Sequence, residues 1–174
     1  MTNVMTMGMQ PSDTEMLSFG TDNISDMYLT FAVGDEHYGV GISAVTEIVG
    51  LQQIMGIPDV PAFIKGVINL RGKVVPVMDV RLRFGMPERA YDERTVIIVM
   101  EVEGAPLGLI VDGVSEVLEI SPDHIDTPSS FGSGRKSLVR GLGRFEDHQR
   151  VTILLDEQLL ATDIEFTLPE TAEE

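Results

Sequence analysis

The residues around Arg71 indicate that this arginine is a binding group. Two apolar runs rich in valine and isoleucine, 64–70 and 73–80, flank the dipeptide Arg71-Gly72. Because glycine readily adopts the positive φ that a two-residue turn requires, this pattern predicts a β-hairpin with Arg71 at its tip. A guanidinium on a rigid turn can donate paired hydrogen bonds to a carboxylate or a backbone carbonyl. No nucleophile or general base stands beside it in sequence, so we expect docking and not catalysis.

Residues that could support catalysis or hold a metal are not grouped in this sequence. No two of the histidines, His37, His124 and His148, have the spacing of metal ligands. The segment 129–141 has the composition of a phosphate-binding loop, but Arg135 interrupts the glycine-lysine pair that such a loop requires. The acids form no pair that sequence alone identifies as a general acid and base. We therefore expect no catalytic residue, no metal and no cofactor, and a small enzyme is the least favoured alternative.

Composition and charge narrow the class of protein further. The chain has 174 residues, 43% of them hydrophobic, and no cysteine, which excludes disulfides and thiolate chemistry. Its net charge of -16 argues against nucleic acid as a partner, since phosphate contacts require a concentrated basic surface. Residues 65–94 nevertheless hold seven basic side chains against four acidic ones. No apolar run is long enough to span a membrane, so we expect a cytoplasmic protein that does not insert into the bilayer.

The two ends of the chain lack a hydrophobic period. Residues 1–26 contain five methionines among scattered threonine, serine, glycine and aspartate, and they are interpreted as a disordered leader. Residues 165–174 are interpreted as a frayed acidic tail. The folded part of the chain is therefore expected to cover residues 27–164.

Within that part the sequence contains an internal repeat. The segment YGVGISAVTEIV at 38–49 aligns with LGLIVDGVSEVL at 107–118 at a constant offset of 69 residues. Further matches follow in order at slightly larger offsets. The matched pairs are Gly39 with Gly108, Val45 with Val114, Glu47 with Glu116, Gly66 with Gly141, and Asp79 with Asp156. Chance is the alternative, because these residue types are common, but the order favours one unit of about seventy residues occurring twice. Two lobes follow, approximately 27–90 and 91–164.

The local patterns predict an all-β fold with little helix. Short apolar strands alternate with turn residues at the spacing of small barrels, and Pro76 fits an edge strand or a bulge. Helical turns are expected around Ser43–Thr46 and around Pro122–Ile125, where Ser121 can cap the turn, and a short C-terminal helix is expected at Asp156–Thr162. We predict two small five-stranded SH3-like β-barrel lobes packed together.

Three blocks in one order carry a family resemblance. The segment KGVINLRGKVVPVMDVR at 65–81 follows the pair Tyr38-Gly39 and the run VTEIVG at 45–50, and it precedes GLIVDGVSEVL at 108–118. Over residues 28 to 160 the chain resembles the CheW family of bacterial chemotaxis coupling proteins. The resemblance implies the same two-barrel fold and a non-catalytic adaptor function. Such an adaptor joins the cytoplasmic tip of methyl-accepting chemotaxis receptors to the regulatory domain of the histidine kinase CheA.

The resemblance also implies a receptor-binding groove between the lobes. Carried over by motif position, the receptor-binding residues are Ile42, Val45, Glu47, Gly66, Arg71 and Gly72 in the first lobe, and Val114 and Val117 in the second. No kinase-binding residue is assigned. Taken without the resemblance, Val45 is equally well a core residue and Glu47 a solvated one, Arg71 can lie free in water, and Gly66 can serve the pleat alone.

The implied location is the cytoplasm, with recruitment to membrane receptor arrays through protein contacts. The main alternative is a scaffold of the same fold in another receptor-kinase pathway, such as surface motility or biofilm control.

Overall fold

The computed structural model of the chain describes residues 24–127, 138–144 and 150–165. Most of the expected leader and all but the first residue of the expected acidic tail lie outside these ranges, as do His148 and most of the segment 129–141. The end of the expected leader is an exception. Ile24–Asp26 form a 3₁₀ turn, and the carbonyl of Asp26 accepts a hydrogen bond of 2.9 Å from the amide of Ile120. These three residues therefore belong to the fold, because they lead directly into the first strand.

The described residues contain eleven strands, two α-helices and three 3₁₀ turns. The strands of the first repeat are β1 (Met27–Val33), β2 (Glu36–Gly41), β3 (Val45–Gly50), β4 (Ile64–Leu70) and β5 (Lys73–Asp79). Those of the second are β6 (Val96–Val102), β7 (Ala105–Val111), β8 (Gly113–Glu119), β9 (Ile125–Asp126), β10 (Val139–Arg144) and β11 (Val151–Leu155). The helices are α1 (Val80–Arg83) and α2 (Glu157–Glu165), and the other 3₁₀ turns are Ile42–Ala44 and Pro122–His124.

The strands form two sheets, which confirms the predicted all-β fold. The six-stranded sheet has the order β8-β1-β2-β11-β10-β9, and the five-stranded sheet has the order β3-β6-β7-β5-β4. The sixth strand of the larger sheet is the two-residue β9, which the sequence did not predict. Each sheet contains strands from both repeats. The expected division near residue 90 therefore does not separate the two sheets. The hairpin β1-β2 of the first repeat lies in the sheet of β8 to β11, and the hairpin β6-β7 of the second repeat lies in the sheet of β3 to β5.

Each sheet is closed by the chain that follows the third strand of a repeat. In the five-stranded sheet, β3 and β4 lie at opposite ends of the order, yet Met55 pairs with Val67 of β4 through hydrogen bonds of 2.8 and 2.9 Å. In the six-stranded sheet, β9 follows β8 and pairs with β10. Both sheets are thus curled toward closure, as in small barrels.

The main hydrophobic core lies between the two sheets. Its fully buried members include Phe31 and Val40 of the six-stranded sheet and Met78, Ile98 and Leu109 of the five-stranded sheet. Smaller apolar clusters fill the interior of each sheet separately. Because most of the buried large side chains belong to the shared core, the two lobes are expected to fold as one unit.

The predicted helical turns are present with small differences. The turn expected at Ser43–Thr46 begins one residue earlier and spans Ile42–Ala44. Ser121 caps the turn Pro122–His124 by accepting a hydrogen bond of 3.3 Å from the amide of Asp123. The C-terminal helix is present as α2, and α1 is a helix that the sequence did not predict, because four residues give no visible period.

Pro76 is expected at an edge strand or a bulge. The pairing of β4 with β5 does shift register next to it, opposite Val77 and Met78, but the edge position is wrong. Its strand, β5, is interior, lying between β4 and β7. The pairing with β7 begins only at Val77. Pro76 therefore precedes the part of β5 that is paired on both sides, where the missing amide would break a ladder.

Candidate docking site

The turn at Arg71-Gly72 has the conformation that the sequence predicts. Both residues have positive φ, 55° for Arg71 and 88° for Gly72, which is the type I′ turn of a two-residue hairpin. Leu70 and Lys73 pair across it. The side-chain oxygen of Asn69 accepts a hydrogen bond of 2.8 Å from the amide of Gly72. The hairpin tip is therefore held in one conformation by its backbone and by a neighbouring side chain.

Arg71 forms an ion pair with Glu47 of β3. The Arg71 side chain is 69% exposed and that of Glu47 is 32% exposed. The pair borders a cavity of about 270 Å³ that is also lined by Lys73 and Glu101. An exposed pair of this kind contributes little to stability. Its effect is to hold the guanidinium of Arg71 against β3, while most of the arginine side chain faces solvent.

Ile42 and Val45 are half-buried and lie beside this pair along the chain. Both pack against the main core, so Val45 is partly a core residue, and the remainder of its surface is exposed. Alternate residues of β3 point away from the core, and Ile48 is the large apolar residue among them. We define the docking surface as Ile42, Val45, Glu47, Arg71 and Gly72.

Gly66 has a structural role and lies outside this surface. It is buried, with φ of 140°, and a Cβ atom there would lie 2.1 Å from the carbonyl oxygen of Met55. The absence of a side chain lets the chain after β3 approach β4 and close the sheet. Gly141, its match in the second repeat, is also crowded but less tightly, since a Cβ there would lie 2.8 Å from the carbonyl oxygen of Asp126.

Val114 and Val117 are exposed on β8, which is the edge strand of the other sheet. The structure thus brings together Glu47, Arg71 and Gly72, while Val114 and Val117 form a separate strip in the six-stranded sheet. The strand that carries this strip has a glutamate–arginine ion pair, as the docking surface does. Glu116 of β8 lies 3.4 Å from Arg150, just as its repeat partner Glu47 pairs with Arg71.

An apolar groove beside β4 was missed by the sequence analysis. The groove has a volume of about 650 Å³ and lies between the chain after β3 and the β4-β5 hairpin. Met55 and Val74 line it and are 66% and 58% exposed. Val74 is the second residue of β5 and begins an unbroken apolar run, Val74–Met78, whose other members are all buried. No alternation distinguishes Val74 from them, so its exposure could not be predicted from the strand pattern. Large apolar side chains exposed together indicate an interaction surface.

Asp112 precedes Gly113, and this dipeptide is typical of a simple turn. In the structure the Asp112 carboxylate also connects several parts of the chain. It is the single residue between β7 and β8, and its carboxylate accepts hydrogen bonds from Arg81, Arg89 and the amide of Gly34. Burial alone would raise the pKa of Asp112. The hydrogen bonds from Arg81 and Gly34, with the charges of both arginines, outweigh burial and lower that pKa below its ordinary value.

Within residues 24–127, 138–144 and 150–165, no three His, Asp or Glu side chains are grouped as metal ligands. Among these residues no helix is long and apolar enough to cross a membrane.

A two-lobed β protein with an oriented arginine at a rigid hairpin tip and exposed apolar strips belongs to the class of protein-binding modules. Comparison with known proteins identifies the family. The chain belongs to the CheW-like domain family, whose model matches residues 27–165. The family and the fold are thus the ones that the sequence motifs predict.

Similar proteins agree on chemotaxis. The chain is 37% identical over 148 residues to the chemotaxis protein CheW of Klebsiella aerogenes, covering 84% of this chain and 88% of that protein. It is 39% identical over 129 residues to CheW of Rhizobium meliloti, covering 74% and 83% respectively. The crystal structure of the scaffolding protein TtCheW from Thermoanaerobacter tengcongensis matches with a TM-score of 0.69 at 36% identity, covering 76% of this chain and 89% of that one. The predicted function, a chemotaxis adaptor, is confirmed, and another pathway is not favoured.

Proposed function

We propose that this adaptor joins the cytoplasmic tip of methyl-accepting chemotaxis receptors to the regulatory domain of the histidine kinase CheA. The observation that carries the receptor part is the ion pair between Glu47 and Arg71. It holds an exposed guanidinium over a rigid hairpin tip before any partner arrives. Binding through a preformed surface loses less conformational entropy than binding through a mobile one.

The receptor contact is made by the docking surface, with the strip at Val114 and Val117 as its second part. Half-buried Ile42 and Val45 supply apolar area just before Glu47, the ion-pair partner of Arg71, along the chain. Arginine is enriched among the residues that dominate binding at interfaces, and the contacts around such a residue act mainly by excluding water. Arg71 retains most of its exposure, so it can also meet a carboxylate or a carbonyl of a receptor helix.

The kinase contact is made by the apolar groove at Met55 and Val74. An adaptor requires a second surface that remains accessible while the first is occupied. The groove is lined by Val67, Ile68 and Asn69 of β4, whereas the docking surface lies on β3 and the hairpin tip. The regulatory domain of the kinase resembles this family in fold, and two barrels can pack through exposed apolar ends.

The mechanism is geometric and involves no reaction. By holding receptor and kinase in one array at the membrane, the adaptor lets a small receptor rearrangement bias kinase output. This bias requires that the contacts differ in free energy between the two receptor states. Recruitment to the membrane then occurs through protein contacts.

Co-sedimentation with an assembled receptor cytoplasmic fragment, with and without CheA, tests the proposal. We expect the chain to sediment with the receptor fragment alone and to increase the amount of CheA in the pellet. Arg71→Glu should remain in the supernatant, whereas Arg144→Glu, which changes an exposed arginine of β10, should sediment like the wild type. A wild-type chain that stays in the supernatant in both arms would contradict the proposed function.

A further inference from the structure

The chain passes from one sheet to the other immediately before the docking surface. β2 belongs to the six-stranded sheet and ends at Gly41, and β3 belongs to the five-stranded sheet and begins at Val45. Only the 3₁₀ turn Ile42–Ala44 connects them. We call residues 41–44 the first crossover. Its conformation determines where β3 lies relative to the six-stranded sheet.

A carboxylate from the far end of the chain holds this crossover. Oε2 of Glu157 accepts a hydrogen bond of 2.5 Å from the amide of Gly41. Oε1 accepts a second one, of 2.6 Å, from Nη2 of Arg140 on β10. Glu157 is only 7% exposed. A buried carboxylate with both oxygens engaged in short, charge-assisted bonds is a strong and directional tie.

The helix that carries Glu157 is itself fixed in place. Asp156 caps α2 by accepting a hydrogen bond of 3.1 Å from the amide of Leu159. Leu160 and Ala161 of the same helix are buried in the core shared by the two sheets. Glu157 is therefore fixed to both lobes, and a movement of α2 or β10 would be transmitted to Gly41.

The second repeat has an equivalent arrangement at its own crossover. Asp112 connects β7 of the five-stranded sheet to β8 of the six-stranded sheet, and Arg81 of α1 binds it at 2.9 Å. The helices α1 and α2 occupy matching places after β5 and β11. In each repeat, a charged side chain from the helix after the last strand thus holds the crossover of the other repeat.

We propose that Glu157 is a positioning residue for the docking surface. Through the amide of Gly41 it sets the position of β3, and with it the position of Glu47 and the hairpin tip relative to the strip on β8. The binding consequence rests on the proposed function, whereas the structural part does not. Glu157 is too buried to contact a partner itself, so its effect on binding is exerted through the residues that it holds, Gly41 of the crossover and Arg140 of β10.

The test compares Glu157→Ala and Glu157→Gln by amide NMR spectroscopy and by binding to a receptor cytoplasmic fragment. In Glu157→Ala we expect the Gly41 amide proton to move upfield, with further shifts along residues 42–49, and affinity to fall about tenfold. Glu157→Gln retains one acceptor oxygen without the charge, so the Gly41 shifts should have the same direction, and both the shifts and the loss of affinity should be smaller. If the alanine variant fails to fold, the glutamine variant decides.

Two arginines of one strand provide the matched control. Arg140→Ala removes only the second bond of Glu157, and we expect the same direction of change with a smaller size. Arg144→Ala removes an exposed partner of Asp126 within the six-stranded sheet and should leave Gly41 and binding unchanged. Shifts confined to α2, or affinity within twofold of wild type once the Gly41 bond is lost, would overturn the proposal. If the wild type does not bind the fragment, the proposed function fails, and the Gly41 shifts still decide the structural part.

Discussion

Asp79 and Asp156 perform the same task in the two repeats. Each immediately precedes the helix that follows the last strand of its repeat, and each accepts a hydrogen bond from the amide three residues later. The distances are 3.2 Å to Leu82 and 3.1 Å to Leu159. The two aspartates differ in their surroundings. Asp79 is buried, and its second oxygen accepts a hydrogen bond of 2.7 Å from the hydroxyl of Tyr91, whose pKa is raised by burial and by this bond.

This difference predicts unequal costs for the same substitution. Asp156→Ala removes a helix cap and should lower the free energy of unfolding by about 1 kcal/mol. Asp79→Ala should lower it by about 2–4 kcal/mol, because it also leaves the half-buried hydroxyl of Tyr91 without its acceptor. Urea denaturation measures both values. Adding Tyr91→Phe to Asp79→Ala should recover part of the loss, and equal costs for the two aspartates would contradict this account.

Two glycines of the β4-β5 hairpin should respond differently to alanine. Gly72→Ala introduces a Cβ at positive φ with open space around it, and we expect about 1 kcal/mol of destabilisation. Gly66→Ala places a Cβ 2.1 Å from the Met55 carbonyl oxygen, and we expect more than about 3 kcal/mol. Thermal or urea melts of the two variants test the comparison. Similar stabilities would mean that the chain after β3 moves away from β4 at little cost.

Asp112 predicts a pH dependence of stability. Its pKa is lower in the folded chain than the ordinary value of 3.8, so the ionised form stabilises the fold. That stabilisation is present at pH above the ordinary value and is lost as the pH falls through the lower, folded-state pKa. We expect Asp112→Asn to lower the free energy of unfolding by about 2 kcal/mol at pH 7, with a smaller difference in acid.

Melts of wild type and variant between pH 7 and pH 2.5 measure this effect. Asp126→Asn is the control, because its ion pair with Arg144 is exposed on both sides and should contribute less than about 0.5 kcal/mol. A difference between Asp112→Asn and wild type that stays constant with pH would show that the charge of Asp112 is not what stabilises the fold.

The sequence predicted the turns and strands of this fold better than it predicted which strands pair with each other. The hairpin at Arg71-Gly72 and the cap at Ser121 are local patterns, and each is present. Alternation along a strand shows which face is buried but not which strand lies beside it. Because both repeats have the same pattern, the exchange of β1-β2 with β6-β7 could not be predicted from it.

The same limit applies to the candidate site. The family motif led to Glu47 and Arg71, but their contact depends on the curling of the sheet. The bond from Glu157 to Gly41 joins residues 116 positions apart, and Glu157 has no distinguishing neighbours in sequence. Asp112 resembles any aspartate before a glycine until Arg81 and Arg89 are placed beside it.

The apolar groove predicts a substitution that separates the two partners. Val74→Asp places a charge in the groove at an exposed position, so the melting temperature should stay near that of wild type. Binding to the kinase regulatory domain should weaken more than tenfold, because the charge would be buried against an apolar partner. Binding to the receptor fragment should be unchanged. Val151→Asp, at an exposed valine of β11, is the matched control, and equal kinase binding by the two variants would remove the groove from the kinase contact.

Variants of the ion pair between Glu47 and Arg71 separate two roles of Arg71. One is its attraction to Glu47, and the other is a direct contact with the receptor. Arg71→Ala should change stability by less than about 0.5 kcal/mol, because the pair is exposed, and should weaken receptor binding about tenfold. Arg71→Glu places two like charges together and should weaken binding further. In the exchanged variant, Glu47→Arg with Arg71→Glu, the attraction between the two positions is restored.

Stability of the exchanged variant should therefore return to that of the wild type, and receptor binding should not return if the guanidinium at the tip contacts the receptor. Melts and binding at two salt concentrations distinguish the cases, since a charged contact weakens with added salt. Recovery of binding in the exchanged variant would mean that the pair only supports β3. In that case the receptor would be bound by the apolar residues Ile42 and Val45, and Arg71 would be a structural residue of the hairpin.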